Sequence, residues 1–201
     1  MIATQRTGLL FDLDGTLLDS RRKLALDVQA AFAELGTAVS LEEILGLRDW
    51  TTAVVGHGYA WKDFKEAFKR VEVPYEKAIS DGTARLFPDT ISVLAELQKQ
   101  GYQLALITRS RPELTAEKLR LFELERYFSQ VAVTGLDRRK SPNKAREALD
   151  VLQAWEKSQP VGLVFVIGDS ETDDIGTAHA LREQVPMAVK SVYVNRAGQP
   201  L

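Results

Sequence analysis

The apolar run Leu9-Leu10-Phe11 leads directly into Asp12-Leu13-Asp14-Gly15-Thr16, and no other stretch limits the fold as much. A short apolar run ended by Asp-Gly reads as a buried strand. Asp12 and Asp14 then stand at the carboxyl end of that strand, where open α/β sheets place their ligand sites. Two carboxylates one residue apart repel, and one pKa rises unless a cation lies between them. A hard divalent ion removes the conflict, and Mg²⁺ is typically held by one or two carboxylates together with substrate phosphate. An Asx-type turn closing a strand is the plain alternative. A calcium loop does not fit: counted from Asp12, Thr16 and Lys23 occupy the positions that need an acid or amide and a closing glutamate.

The rest of the composition narrows the class. With 201 residues and a hydrophobic fraction of 45%, the chain can bury one substantial core and a small second lobe. A formal net charge of -2 gives no basic excess for nucleic acid, and the triplet Arg21-Arg22-Lys23 reads as solvated surface. The chain has no cysteine and two histidines, which excludes disulfides and argues against a zinc site. Residues 1–6 lack the apolar core of a signal peptide, and no run approaches membrane-spanning length. The expectation is a soluble cytoplasmic protein, monomer or homodimer, with neither a nucleic acid nor a membrane as partner.

Beyond Ser20 the apolar period becomes helical. Leu24, Val28, Ala31, Phe32 and Leu35 share one face, and Gly36 stops the helix. Ser40 and Glu43 form a capping box for the next helix. A segment over 63–79 is helical, kinked or split at Pro74. No strand is expected between Ser20 and Asp81. From there strands and helices alternate. Helices are expected after Asp89, with Ile91, Leu94 and Leu97 inward and Gly101 closing it, from about Pro112 to Phe122, from Asn143 to Trp155 and after Ser170 to about Val185; strands over 103–107, 131–133, 163–167 and 192–194. Such alternation implies a parallel sheet. The fold class is therefore α/β: a Rossmann-like parallel sheet core with helices on both faces, residues 1–19 and 83–201, and a small all-helical cap, 20–82, inserted after the first strand.

Candidate functional residues follow from the same logic. In a parallel sheet the carboxyl ends of the strands share one edge. Asp12 and Asp14, Thr108, Lys140, and Asp169 with Asp173 and Asp174 all fall at or just past such ends. Together they offer carboxylates for a metal, a hydroxyl and a lysine for a phosphoryl group, and a carboxylate that can attack it.

This ordered set resembles the haloacid dehalogenase-like hydrolases. Asp12-Leu13-Asp14-Gly15-Thr16 looks like that family's first motif, and Leu106-Ile107-Thr108 like its second. Lys140-Ser141-Pro142 looks like the third, with Lys144 as a second candidate, and Gly168-Asp169 with a further Asp like the fourth. Asp173 and Asp174 both fit the last position; Asp174, heading Asp174-Ile175-x-x-Ala178, fits slightly better. The resemblance implies that Asp12 is the nucleophile and Asp14 the general acid and base. It implies that Thr108 and Lys140 hold the phosphoryl group. Mg²⁺ is then bound by Asp12, the Asp14 carbonyl, Asp169 and one of Asp173 and Asp174.

Arg109 departs from the family, where Asn commonly follows the motif Thr; it is a candidate for pairing with substrate. The haloacid dehalogenases proper lack the second aspartate, so Asp14 argues for phosphate monoesters. The resemblance also implies a cap that closes over the site and selects substrate, with Arg48 and Trp50 as candidate contacts. The expected enzyme is an Mg²⁺-dependent phosphatase, a phosphoric monoester hydrolase that acts on a small phosphorylated metabolite through an aspartyl-phosphate. A phosphomutase of the β-phosphoglucomutase type shares every core residue, and a non-catalytic binding protein on the same fold is the third reading.

Overall fold

The computed structural model describes residues 6–47, 50–134 and 143–196. The first strand, β1 (Arg6–Phe11), is followed by a two-residue strand β2 (Leu18–Asp19). Five helices come next: α1 (Arg21–Glu34), α2 (Leu41–Gly46), α3 (Trp50–Gly56), α4 (Trp61–Val71) and α5 (Tyr75–Ser80). The chain continues through β3 (Arg85–Leu86), α6 (Thr90–Lys99), β4 (Gln103–Thr108), α7 (Pro112–Leu121) and β5 (Gln130–Val133). It ends with α8 (Ala145–Ser158), β6 (Val161–Gly168), a π-helical turn (Glu171–Ile175), α9 (Gly176–Arg182) and β7 (Ala188–Tyr193). Contacts divide the chain into an α/β unit, Met1–Leu18 with Leu86–Leu201, and a helical unit, Asp19–Arg85.

The α/β unit is built on a five-stranded sheet of order β5-β4-β1-β6-β7, with every pair parallel. From β1 the chain winds outward through β4 and β5, then crosses back to β6 and winds the other way. The order therefore reverses between β1 and β6, and this is where doubly wound sheets open a crevice for ligands. Register fixes what meets there. Phe11 pairs with Leu106 on one side and Ile167 on the other, so the carboxyl ends of β1, β4 and β6 lie within two residues of one level.

The strands read as apolar runs because both faces are covered. On one face Leu10, Ala105, Ile107, Val164 and Val166 pack with Ala148, Val151, Leu152 and Trp155 of α8 and with Ala178 and Leu181 of α9. The four α8 residues recur at helical spacing and so share a stripe. Gly8 lets this helix lie close: a Cβ there would stand 3.0 Å from Trp155 Cε3. The indole is buried and its Nε1 donates to Ser129 Oγ at 3.0 Å. Truncating a buried tryptophan costs about 3–5 kcal/mol. On the other side of the pleat Leu9, Phe11, Leu104 and Leu106 are buried as well.

In the helical unit Val28, Ala31 and Phe32 of α1 and Phe64 and Ala67 of α4 form the centre of one apolar cluster. Trp50 packs against that cluster rather than standing free. Ser40 caps α2 as its sequence suggests, its Oγ accepting from Glu43 N at 3.1 Å. The helical segment expected over 63–79 is two helices, α4 and α5, and Pro74 stands at the N-terminus of the second. Lys23 is not solvated surface. One turn apart on the inner face of α1, Lys23 Nζ and Asp27 Oδ2 form a buried ion pair of 2.6 Å. The ammonium lies 4.4 Å from the Tyr75 ring centroid. Burial pushes the Asp27 carboxyl above its ordinary value, with Lys23 opposing.

Two elements of the α/β unit differ from expectation. The last strand starts at Ala188, not at 192. It is an edge strand whose residues are mostly exposed, so it carries no continuous apolar run to mark it. The helix expected from Ser170 begins as the π-helical turn, because Asp174 is directed inward to the site described next. Among the described residues no helix is long and apolar enough to cross a membrane.

Candidate active site

The turn after β1 is set by its own backbone. Leu13 O accepts from Leu17 N and Leu18 N, both at 2.9 Å, and Gly15 N donates to Leu18 O at 2.8 Å. Gly15 has φ of 86°, in the left-handed region that favours glycine. It is needed for space too, because a Cβ there would stand 2.7 Å from Asp169 Cγ. From the other side Arg196 Nε and Nη2 donate to Thr16 O at 3.2 and 3.0 Å, while its Nη1 meets the Asp89 carboxylate. The turn is thus closed from within and strapped from the chain beyond β7.

Asp12, Asp169 and Asp174 each present a carboxylate oxygen, and the three oxygens lie within 4.8 Å of one another. Asp12 and Asp174 are buried. Asp174 is oriented by Ser170 N, which donates to its Oδ2 at 2.9 Å. Gly168 makes room for it: a Cβ there would stand 2.7 Å from Asp174 Cβ. Among the described residues the cluster has one buried cation. Lys144 Nζ donates to Asp12 Oδ1, to Asp174 Oδ1 at 2.7 Å and to Ile107 O at 3.2 Å. Lys144 stands at the N-terminus of α8, and its own N–H donates to Thr177 Oγ1 of α9 at 2.8 Å.

The electrostatics follow from this crowding. Burial pushes the Asp12 carboxyl up to about 8; Lys144 opposes the rise, and Asp174 and Asp169 add to it. Burial also pushes Asp169 up to about 6, again with Asp174 adding. Burial works against the Lys144 ammonium, but Asp12 and Asp174 outweigh it and hold its pKa above the ordinary value. Among the described residues three carboxylates face one ammonium, a deficit of positive charge once they ionise. An all-oxygen donor set with that deficit suits a hard divalent cation.

A second group of charges lies beside the first. Asp14 is not part of the three-carboxylate cluster. Its Oδ1 and Oδ2 accept from Lys118 Nζ of α7 at 2.9 and 2.7 Å. Arg109 Nε donates to Asp173 Oδ1 at 2.7 Å, and both side chains are buried. Thr108 is buried at the end of β4, where its Oγ1 accepts from Ser110 N at 3.1 Å. Of the two neighbouring acids, then, Asp174 faces Asp12 and Asp169, while Asp173 faces Arg109. Lys140, the first choice for the phosphoryl lysine, lies outside the described residues, as does Arg48. Lys144, the second choice, touches Asp12.

Sequence reasoning passed over Lys118. A lysine on a helix reads as solvent-exposed by default. One signal could have found it. Thr115 and Leu119 are also buried, and Lys118 lies at helical spacing from Thr115 on the same inward face.

Comparison with known proteins gives the family of the chain. The sequence profile of the family described as haloacid dehalogenase-like hydrolase matches residues 9–188. A phosphoglycolate phosphatase of Aliivibrio fischeri is 32% identical over 177 residues, covering 82% of this chain and 76% of its own. One of Aquifex aeolicus is 29% identical over 175 residues with the same coverage, 82% and 76%. The crystal structure of a HAD phosphatase from Thermococcus onnurineus superposes with a TM-score of 0.62 at 22% identity, covering 96% of this chain and 88% of that one. The chain belongs to the haloacid dehalogenase-like hydrolase family. It is an enzyme of the kind expected from its sequence, a HAD-like phosphoric monoester hydrolase.

Proposed function

We propose that this chain is an Mg²⁺-dependent phosphatase that cleaves a small phosphorylated metabolite through an aspartyl-phosphate on Asp12. The observation that carries the reading is the pairing of two unlike environments at the end of β1. Asp12 sits in a buried cluster with Asp169, Asp174 and Lys144. Asp14, two residues on, lies outside that cluster and is partly exposed.

A carboxylate oxygen of Asp12 attacks phosphorus, the ester P–O bond breaks, and Asp14 gives its proton to the departing oxygen. Water then attacks the phosphorus of the aspartyl-phosphate, Asp14 takes the water proton, and Asp12 is regenerated. Lys144 and the Thr108 hydroxyl meet charge on the non-bridging oxygens. Asp12, Asp169, Asp174 and the Asp14 carbonyl would hold Mg²⁺, which neutralises charge on the transferring group when bound. Phosphoryl chemistry belongs to the α/β unit, and we assign choice of leaving group to the helical unit 19–85. The phosphoglycolate phosphatases among its relatives make a small carboxylated phosphate ester the first substrate to try.

The test is hydrolysis of p-nitrophenyl phosphate with Mg²⁺, followed by a screen of phosphorylated metabolites. EDTA and Asp12→Asn should each abolish turnover. Equal activity of wild type and Asp12→Asn would refute the reading. Lys144→Met and Lys140→Met, compared side by side, assign the phosphoryl lysine to the position whose loss damages all substrates alike.

A further inference from the structure

We infer that Lys118 is a positioning residue for Asp14, holding its carboxylate where a leaving oxygen can be protonated. The inference rests on the phosphatase reading above and adds to it a residue that reading does not use. Lys118 comes from the last turn of α7, far in sequence from the turn after β1. Its side chain is 2% exposed, whereas that of Asp14 is 25% exposed. The ammonium donates to both Asp14 oxygens, at 2.9 and 2.7 Å, and to Ser110 Oγ at 3.1 Å. The carboxylate is therefore gripped from the protein side and left partly open on the other.

Burying a lysine is costly, and a buried ion pair adds little stability over an apolar pair of the same volume. What such a pair does supply is orientation. An aspartate carboxylate on a loop otherwise samples several rotamers, and proton transfer needs the donor within about 2.6–3.2 Å of its target. Ser110 ties the grip to the end of β4, where Thr108 Oγ1 accepts from Ser110 N. One short segment after β4 thus arranges both the phosphoryl hydroxyl and the acid.

This role predicts a defect that depends on the leaving group. The ratio kcat/KM reports the steps up to departure of the alcohol, so it contains the proton donation and not the later hydrolysis of the aspartyl-phosphate. Phenol, with a pKa of about 10 as in tyrosine, needs a proton to leave. Nitrophenol, a more stable anion of nearly the same shape, needs it far less. Lys118→Met should therefore lower kcat/KM for phenyl phosphate by about 10²-fold, the lower end of what general acid catalysis supplies. For p-nitrophenyl phosphate the loss should be under about 10-fold. In the Asp14→Asn background the same change should cost no more than about twofold, because the group it acts through is already disabled.

The experiment measures both substrates with wild type, Lys118→Met, Asp14→Asn and the double variant, with Mg²⁺ present and melting temperatures recorded. Lys118→Arg keeps the charge on a different stem, so a fold that fails with methionine is still tested. It should show the same leaving-group selectivity with a smaller loss. Equal losses on the two substrates, or losses that multiply with Asp14→Asn, would overturn the inference while leaving the phosphatase reading intact. A wild type that hydrolyses neither ester would overturn both.

Discussion

Replacing Lys144 by methionine keeps most of the stem and deletes the charge. That charge lies against Asp12 and 2.7 Å from Asp174, and all three side chains are buried. Removing one partner of a buried ion pair costs about 3–5 kcal/mol. Against a total stability of about 5–15 kcal/mol, the variant should fold but unfold at clearly lower urea. The loss should also carry a pH signature. Burial holds Asp12 up to about 8 and Asp169 up to about 6 even with the ammonium present. A carboxyl raised in the folded state binds more protons folded than unfolded between its two pKa values. Its contribution to stability is complete below the unfolded value and is lost as pH rises through the folded one. Metal-free wild type should therefore weaken progressively as pH rises from about 4, the ordinary aspartate value, to about 8.

Without Lys144 the largest opposing influence on Asp12 is gone, the carboxyls rise further, and the fall with pH becomes steeper. Urea unfolding in EDTA should show the smallest gap between wild type and variant near about pH 5, and the full cost of about 3–5 kcal/mol near about pH 9. Excess Mg²⁺ should narrow the gap at high pH by returning positive charge to the cluster. A gap that is the same at both pH values would mean that Lys144 acts through packing. A gap under about 1 kcal/mol at high pH would mean that the pair behaves as a surface pair, and the charge argument would fail.

Two further outcomes follow from the same site. Mg²⁺ binding should release protons, more near about pH 6 than near about pH 9, because Asp12 and Asp169 must ionise to serve as ligands; titration calorimetry in buffers of different ionisation enthalpy measures this, and release that does not change with pH refutes it. Gly168→Ala should cost activity and metal affinity with the sheet intact, because the new methyl meets Asp174, which Lys144 and Ser170 hold in place; a wild-type response to Mg²⁺ would show that Asp174 is free to move.

How much of this was legible in the sequence depends on what kind of constraint each residue obeys. Apolar runs with polar ends mark strands whether or not their partners are known, so Asp12, Thr108 and Asp169 could be assigned to one edge of a sheet without coordinates. The registers Phe11 with Leu106 and Phe11 with Ile167 bring those strand ends within two residues of one level. Spacing could not separate Asp173 from Asp174, because both open the same helix. What separates them is the π-helical turn, which aims one at Arg109 and the other at Lys144. Buried lysines are the harder case. Lys23 and Lys118 each sit on the inward face of a helix, where a charge is expected to be excluded. Each is there because a carboxylate meets it: for Lys23, Asp27 one turn along α1; for Lys118, Asp14 just past the end of a distant strand. The first partner lies within one helix and can be sought by periodicity. The second depends on how α7 packs on the loop after β1, and that packing is decided by the whole sheet, so the contact arranging the proposed acid is written in no local stretch of the chain.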